Sequence, residues 1–164
     1  MTHFSITSPQ TEADWQQVKL LLSELLAFEN SPRPQRKDTD KIANSALRYI
    51  REKIIDHHGI CLIAKDQNNQ AIGFMNGWIE NGDGLDQGDN RIGYISDAYI
   101  IPQCRNVFLF KKMGKMIAAH FANLGIQKLS FDTLGTNIRM QTLFIRSGFL
   151  PHKVIFEIDL SQMI

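Results

Sequence analysis

Apolar positions change period several times along the chain, and each change marks an element. In "HFSITSP", Phe4 and Ile6 alternate with polar neighbours and predict a short first strand. Over "TEADWQQVKLLLSELLAFE", Trp15, Val18, Leu21, Leu22, Leu25 and Leu26 form one helical stripe. Thr11 is placed as its N-cap, with Asp14 three residues on. Two prolines in "NSPRPQRKD" break the pattern into a loop. A second helix follows in "DTDKIANSALRYIREKIID", with Ile42, Ala46, Ile50 and Ile54 on one face and Gly59 past its end. "ICLIAKD", the turn "QNNQ" and "AIGFMNGWIE" read as a hairpin, and "RIGYISDAYII" as a long, central strand. "NVFLFKKMGKMIAAHFANLG" returns to helical spacing through Phe108, Met113, Met116, Ile117 and Phe121, and Gly125 stops it. "QKLSFDTL" predicts a strand, "NIRMQTLFIRS" a short helix and "HKVIFEIDL" a final strand.

The expected order is β-α-α-β-β-β-α-β-α-β. The crossover from 91–101 to 127–133 requires those two strands to be parallel within an otherwise antiparallel sheet. The fold class is therefore mixed α/β, a mixed, mostly antiparallel central sheet with helices on both faces. At 164 residues, with no repeat or linker, residues 1–164 are expected to form a single domain.

Composition narrows the function classes. Lys plus Arg number 18 against 17 Asp plus Glu, so the basic excess of a general nucleic-acid binder is absent. No apolar run approaches the roughly 20 residues of a membrane span, and "MTHFSITSPQ" lacks the pattern of a signal peptide. Cys61 and Cys104 read as free thiols of a reducing cytoplasm. The acidic, Gly-rich "NGDGLDQGDNR" has no Glu at the twelfth position of a calcium loop and reads as a solvated hairpin connection, with a cation-attracting rim as the minor alternative. No His/Cys/Asp/Glu cluster has metal-ligand spacing, and no nucleophile elbow or P-loop occurs. His57 and His58 lie where a helix C-terminus favours positive charge, and His120 reads as a satisfied, half-buried side chain.

Two segments carry a resemblance. In "DAYIIPQCRNVFLFKKMGKMIAAHF" a strand ends in aliphatic-x-Pro (Ile100, Pro102), followed by Arg105 and a helix. In "NIRMQTLFIRSGFLPHKVIFEIDL", Asn137, Leu143, Gly148 and Phe149 keep a second spacing. Both resemble the GNAT superfamily of acyl-CoA-dependent N-acyltransferases, over nearly the whole chain. The resemblance implies acetyl-CoA as co-substrate, no metal, and direct attack by a primary amine of a small molecule or peptide. It implies that strand 94–101, with Ile100 and Ile101, holds the pantetheine. Arg105, Asn106, Val107, Phe108, Leu109 and Phe110 then present backbone N–H groups to the pyrophosphate, and Asn137 and Phe144 complete the cofactor side. Dimers are common in the family.

The chain departs from the family pattern at several positions. Phe108 and Phe110 stand where the family has small residues that let the backbone approach phosphate. Binding is compatible with both if the rings turn inward, and helical spacing places Phe108 near the core side; Phe110 reads as a lid or a core residue. Met140 replaces a small residue, and Phe144 replaces a Tyr thought to protonate the leaving thiolate. Ser96 falls where polyamine-type members carry a Glu base, with Asp97 beside it. Asp97 points to the required face only if the strand carries a bulge there. Tyr99 shares that face, as an alternative proton donor or as packing. Arg33, Arg36 and Lys37, in the loop that borders the acceptor site in the family, either select an acidic acceptor or solvate the surface. Two function classes follow: an N-acetyltransferase, or a catalytically inactive GNAT-fold module for ligand sensing or protein interaction, with Val107–Phe110 as plug or docking surface.

Overall fold

The computed structural model describes residues 3–30, 39–82, 90–156, 158 and 160. Arg33, Arg36, Lys37 and most of the acidic connection lie outside the described residues. The chain divides into two compact units, Met1–Asp132 and Thr133–Ile164. The first contains β1 (Phe4–Thr7), α1 (Glu12–Asn30), α2 (Thr39–Asp56), β2 (Ile60–Asp66), β3 (Ala71–Asn81) and β4 (Arg91–Ile100). A 3-10 turn (Pro102–Cys104), α3 (Val107–Asn123) and β5 (Leu129–Phe131) complete it, and the second unit contains α4 (Ile138–Arg146).

The five strands lie in the order β1-β2-β3-β4-β5. The first three pairings are antiparallel and β4 pairs with β5 in parallel, as the crossover through α3 requires. Each face of the sheet has its own core. On one, Val18, Leu22 and Leu25 of α1 and Ile50 of α2 pack over Cys61, Ile63, Phe74 and Trp78. On the other, Leu109, Met113, Ile117 and Phe121 of α3 pack over Leu62, Met75 and Ile95.

Local chemistry sets the helix ends. Thr11 and Asp14 form a reciprocal capping box: the Asp14 N–H donates to Thr11 Oγ1 at 3.1 Å, and the Thr11 N–H donates to Asp14 Oδ2 at 3.0 Å. The other oxygen of Asp14 takes the ammonium of Lys65 on β2, an ion pair nearly closed to solvent. α3 ends in a Schellman motif. Gly125 has φ +79°, its N–H donates to Ala122 O and the Ile126 N–H donates to Phe121 O.

The structure corrects two expectations. Residues 151–156 form no strand, so β5 is the last strand among the described residues. Val154, Ile155 and Phe156 are all more than two-thirds exposed. An alternating apolar pattern states what a strand would bury, but it does not supply the partner edge that makes a strand. The second correction concerns α3. Leu109 takes the core position at 0% exposure, whereas Phe108 is 67% exposed and meets only the rim, its ring centroid 6.2 Å from that of Phe4. The buried row runs 109, 113, 117, 121 at four-residue steps, and 108 lies one position, about 100°, off it. Phe110 is half-buried against the α3-side core.

These placements separate two neighbouring residues in urea unfolding. Leu109→Ala is expected to cost about 2–4 kcal/mol, and Phe108→Ala to stay within about 0.5 kcal/mol. The Asp14 anchor has a pH signature. Hydrogen bonds from Lys65 and from the N–H groups of Gln10 and Thr11 hold its carboxyl well below the usual carboxylate range. The stabilisation is complete above the ordinary carboxylate pKa and is lost as pH falls below it. Asp14→Asn is therefore expected to destabilise at pH 7 and to flatten the decline in unfolding midpoint between roughly pH 5 and 2.

Candidate active site

β4 changes faces partway along its length. Asn76 on β3 pairs with Asp97, but the next residue, Gly77, pairs with Ile95. Ser96 is the extra residue of a β-bulge, without a Cα partner on β3. Before it, Tyr94 lies on the α1/α2 side and Ile95 on the α3 side; after it, Ala98 and Ile100 lie on the α3 side and Tyr99 on the α1/α2 side. The inserted residue reverses the alternation. Gly77 permits the close crossing, because a Cβ there would sit 2.4 Å from the Tyr94 carbonyl oxygen. Asp97 consequently shares the α1/α2 face with Tyr99 and meets Asn76, whose Nδ2 donates to Asp97 Oδ2 at 3.0 Å.

The same stretch has an open edge. β5 pairs only with Gly93–Ile95, so residues 96–100 continue without a β5 partner. Beyond them the Ile101 N–H donates to Ile72 O, and the 3-10 turn leads into α3. Arg105 folds back: its Nε donates to Ile100 O at 2.9 Å, and its guanidinium stacks on Phe28 and Tyr99. Asn106 is the N-cap, accepting from the Leu109 N–H at 2.7 Å through Oδ1. The Val107 and Phe108 amides remain as first-turn donors of a 17-residue helix. Ile100, Ile101 and Arg105 to Phe110 are thus brought together at the end of the open edge.

Three groups near the bulge, the Cys61 thiol and the Tyr94 and Tyr99 phenols, are held protonated. Burial, and then the Asp97 charge, push the Cys61 thiol far up, which removes it as a nucleophile. Burial and the nearby Asp132 carboxylate raise the Tyr94 phenol; its hydroxyl donates to Asp132 Oδ2 at 2.9 Å, and the charges of Glu80 and Asp97 add to the shift. Tyr99 is raised by burial and by donating to Glu24 Oε2 at 3.0 Å. Its hydroxyl is engaged with α1, which favours the packing role over that of a proton donor.

The other expected residues have local explanations. In the second unit, Asn137 caps α4 by accepting from the Met140 N–H. The Gly148-Phe149 pair closes that helix in a second Schellman motif: the Phe149 N–H donates to Phe144 O, and the two rings pack at 5.2 Å. His120 donates from Nε2 to the His58 carbonyl at 2.9 Å, a satisfied half-buried histidine. His57 is exposed, with Lys53 Nζ 3.3 Å from its Nε2. Among the described residues, no group of three or more His, Cys, Asp or Glu side chains is placed to hold a metal.

Sequence reasoning missed Asn76, Asn106 as a cap, and the Tyr94–Asp132 pair. A lone Asn before a Gly inside the apolar run "AIGFMNGWIE" was the available signal for the first.

Comparison with known proteins identifies the family. Residues 20–149 match the model of the acetyltransferase (GNAT) family, and the chain belongs to it. No curated protein matches the chain in sequence. Among solved structures, the aminoglycoside N-acetyltransferase AAC(6')-Iy in complex with CoA is 18% identical, covering 97% of this chain and 96% of its own, with a TM-score of 0.72. A predicted acetyltransferase with acetyl-CoA from Clostridium acetobutylicum is 19% identical over 99% of this chain and 98% of its own, with a TM-score of 0.69. A variant of the BH1408 protein from Bacillus halodurans reaches a TM-score of 0.80 at 14% identity, over 94% and 98%. At these identities the likeness concerns the fold.

The two thiols provide a check on this geometry. With a thiol-reactive disulfide reagent at pH 8, Cys104 is expected to react in the native protein, and Cys61 only at the rate of unfolding. Equal rates would show that the α1/α2 face is not closed over Cys61.

Proposed function

We propose that this chain transfers the acetyl group of acetyl-CoA to a primary amine. The observation that carries the reading is the bulge at Ser96. It places a carboxylate on one face of β4 where the strand's edge is free of β5, while α3 opens from the other side of the sheet with first-turn amides available. Acyl donor and amine then approach β4 from opposite faces. The pantetheine lies along the open edge and the pyrophosphate at the Val107 and Phe108 amides, with Lys111 and Lys112 one turn on. The amine attacks the thioester carbonyl, a C–N bond forms, the C–S bond breaks and CoA leaves as thiolate. Asp97, directly or through a water, takes the amine's proton, and holding amine and thioester together supplies much of the rate. A cationic small-molecule acceptor is favoured, because Glu80, Asp97 and Asp132 surround Tyr94 with negative charge and similar folds include aminoglycoside N-acetyltransferases.

A second reading has its own support. The Phe108 ring is exposed in the first turn of α3 and the Asn106 side chain already takes the Leu109 amide, which favours a GNAT-fold module that senses or docks without turnover.

Acetyl-CoA titration separates the two. At a hundred times Kd, binding contributes about 2.7 kcal/mol, which raises the thermal midpoint of a chain this size by roughly 5–10 °C. No rise at millimolar acetyl-CoA would leave the module reading standing. Asn106→Gly is expected to cost only a few tenths of a kcal/mol in stability and, by releasing the Leu109 N–H, to tighten acetyl-CoA binding in calorimetry. Weaker binding by that variant would show that the cap orders the loop and does not compete with phosphate.

A further inference from the structure

β3 carries a residue that core packing does not explain. Its α1/α2 face reads Phe74, Asn76, Trp78, and both flanking rings belong to the core. Asn76 is 0% exposed. A carboxamide buried among apolar side chains is unfavourable unless its groups are paired. One half is: Nδ2 donates to Asp97 Oδ2. The other half is not, because Oδ1 is buried and, among the described residues, has no hydrogen-bond partner. Rotating the amide by 180° would set two acceptors against each other, so the nitrogen must face the carboxylate. The orphaned oxygen is what remains when the donor is kept on Asp97.

We propose that Asn76 is a positioning residue for acetyl transfer, holding the Asp97 carboxylate oriented and ionised so that it can accept the amine's proton. The inference rests on the reading of Asp97 as the base. Asn76 sits mid-strand between two neighbours, paired with Cys61 of β2 on one side and Asp97 of β4 on the other, so its side chain has little freedom. The register that brings Asp97 opposite it exists because of the Ser96 bulge; with regular pairing through Ser96, Asp97 would face α3. A hydrogen bond donated to a carboxylate favours its charged form and fixes its direction. Cys61 on β2 and Tyr94 on β4 both feel the Asp97 charge, and Tyr94 also feels Asp132 and Glu80. On the same face Tyr99 meets Glu24 of α1 and Arg105, and Lys53 of α2 lies over the Trp78 ring. α2 contributes Ala43, Leu47 and Ile50 to this face.

The test compares wild type, Asn76→Leu, Asn76→Val, Asp97→Asn and the double variant Asn76→Leu/Asp97→Asn. Two variants of β3 are used in case one does not fold. The first readout is the Asp97 carboxyl titration by carbon-13 NMR, which needs no acceptor. Its midpoint is expected to move up in Asn76→Leu and Asn76→Val, while the thermal midpoint stays level or rises and acetyl-CoA affinity stays within about threefold. With an acceptor from an amine panel, kcat is expected to fall about tenfold or more, with the amine KM little changed. Adding Asn76→Leu to Asp97→Asn is expected to cost nothing further, because the two act as one unit. An unmoved Asp97 midpoint, losses that multiply in the double variant, or a kcat loss that tracks lost stability and lost acetyl-CoA binding would each overturn the inference. If Asp97→Asn keeps the wild-type rate, the base assignment itself falls and this inference falls with it. If Asp97→Asn loses the activity while Asn76→Leu keeps both rate and midpoint, the base assignment stands and only the role of Asn76 is lost.

Discussion

β4 cannot keep one alternation from end to end, because Ser96 has no Cα partner on β3. That single extra residue is the constraint on which the site depends. Before it, the strand buries Ile95 beneath α3; after it, the same helix receives Ala98 and Ile100, and Asp97 and Tyr99 turn to α1 and α2. A strand of strict period two would send Asp97 under α3, where an ionised carboxylate would have to be desolvated. The bulge avoids that cost and leaves the carboxylate on a half-buried face. β5 stops pairing at Ile95, one residue before the bulge, so the strand irregularity and the opening of the sheet coincide.

A second constraint acts at the start of α3. First-turn amides are unsatisfied by geometry in any helix, and a side chain, water or ligand must meet them. Here Asn106 meets one of them from its own loop, and Arg105 is drawn back onto Ile100, Phe28 and Tyr99. The loop is therefore ordered by its own residues, with aromatic bulk on the outside at Phe108. Self-capping and phosphate binding draw on the same donors, and their balance decides how the chain uses the GNAT fold it shares with its family.

Much of this was legible in the residue pattern. The capping box at Thr11 and Asp14, the hairpin at 60–81, the parallel crossover and the ends of α3 and α4 depend on neighbours within a few residues or on strong periodicity. The bulge was legible only as a condition, since Asp97 is one residue away from the family's carboxylate position. Phe108 was misplaced because the helical stripe could be drawn through 108 or 109, and the two differ by one step of about 100°. The tail at 151–156 alternates like a strand yet has no partner among the described residues.

The amino-acid sequence by itself determined the elements from β1 to α4, their order, the parallel crossover and the segment that starts α3, because backbone propensity and apolar period act over short distances. Tertiary structure alone decided which faces meet. A register is a relation between two strands, so neither "AIGFMNGWIE" nor "RIGYISDAYII" taken singly contains the pairing of Asn76 with Asp97. The same holds for the orphaned Asn76 carbonyl and for the Glu24 that takes the Tyr99 hydroxyl from 75 residues away. Those contacts come from burying two separate faces of one sheet under different helices, and no local pattern records which residue of a distant element arrives opposite.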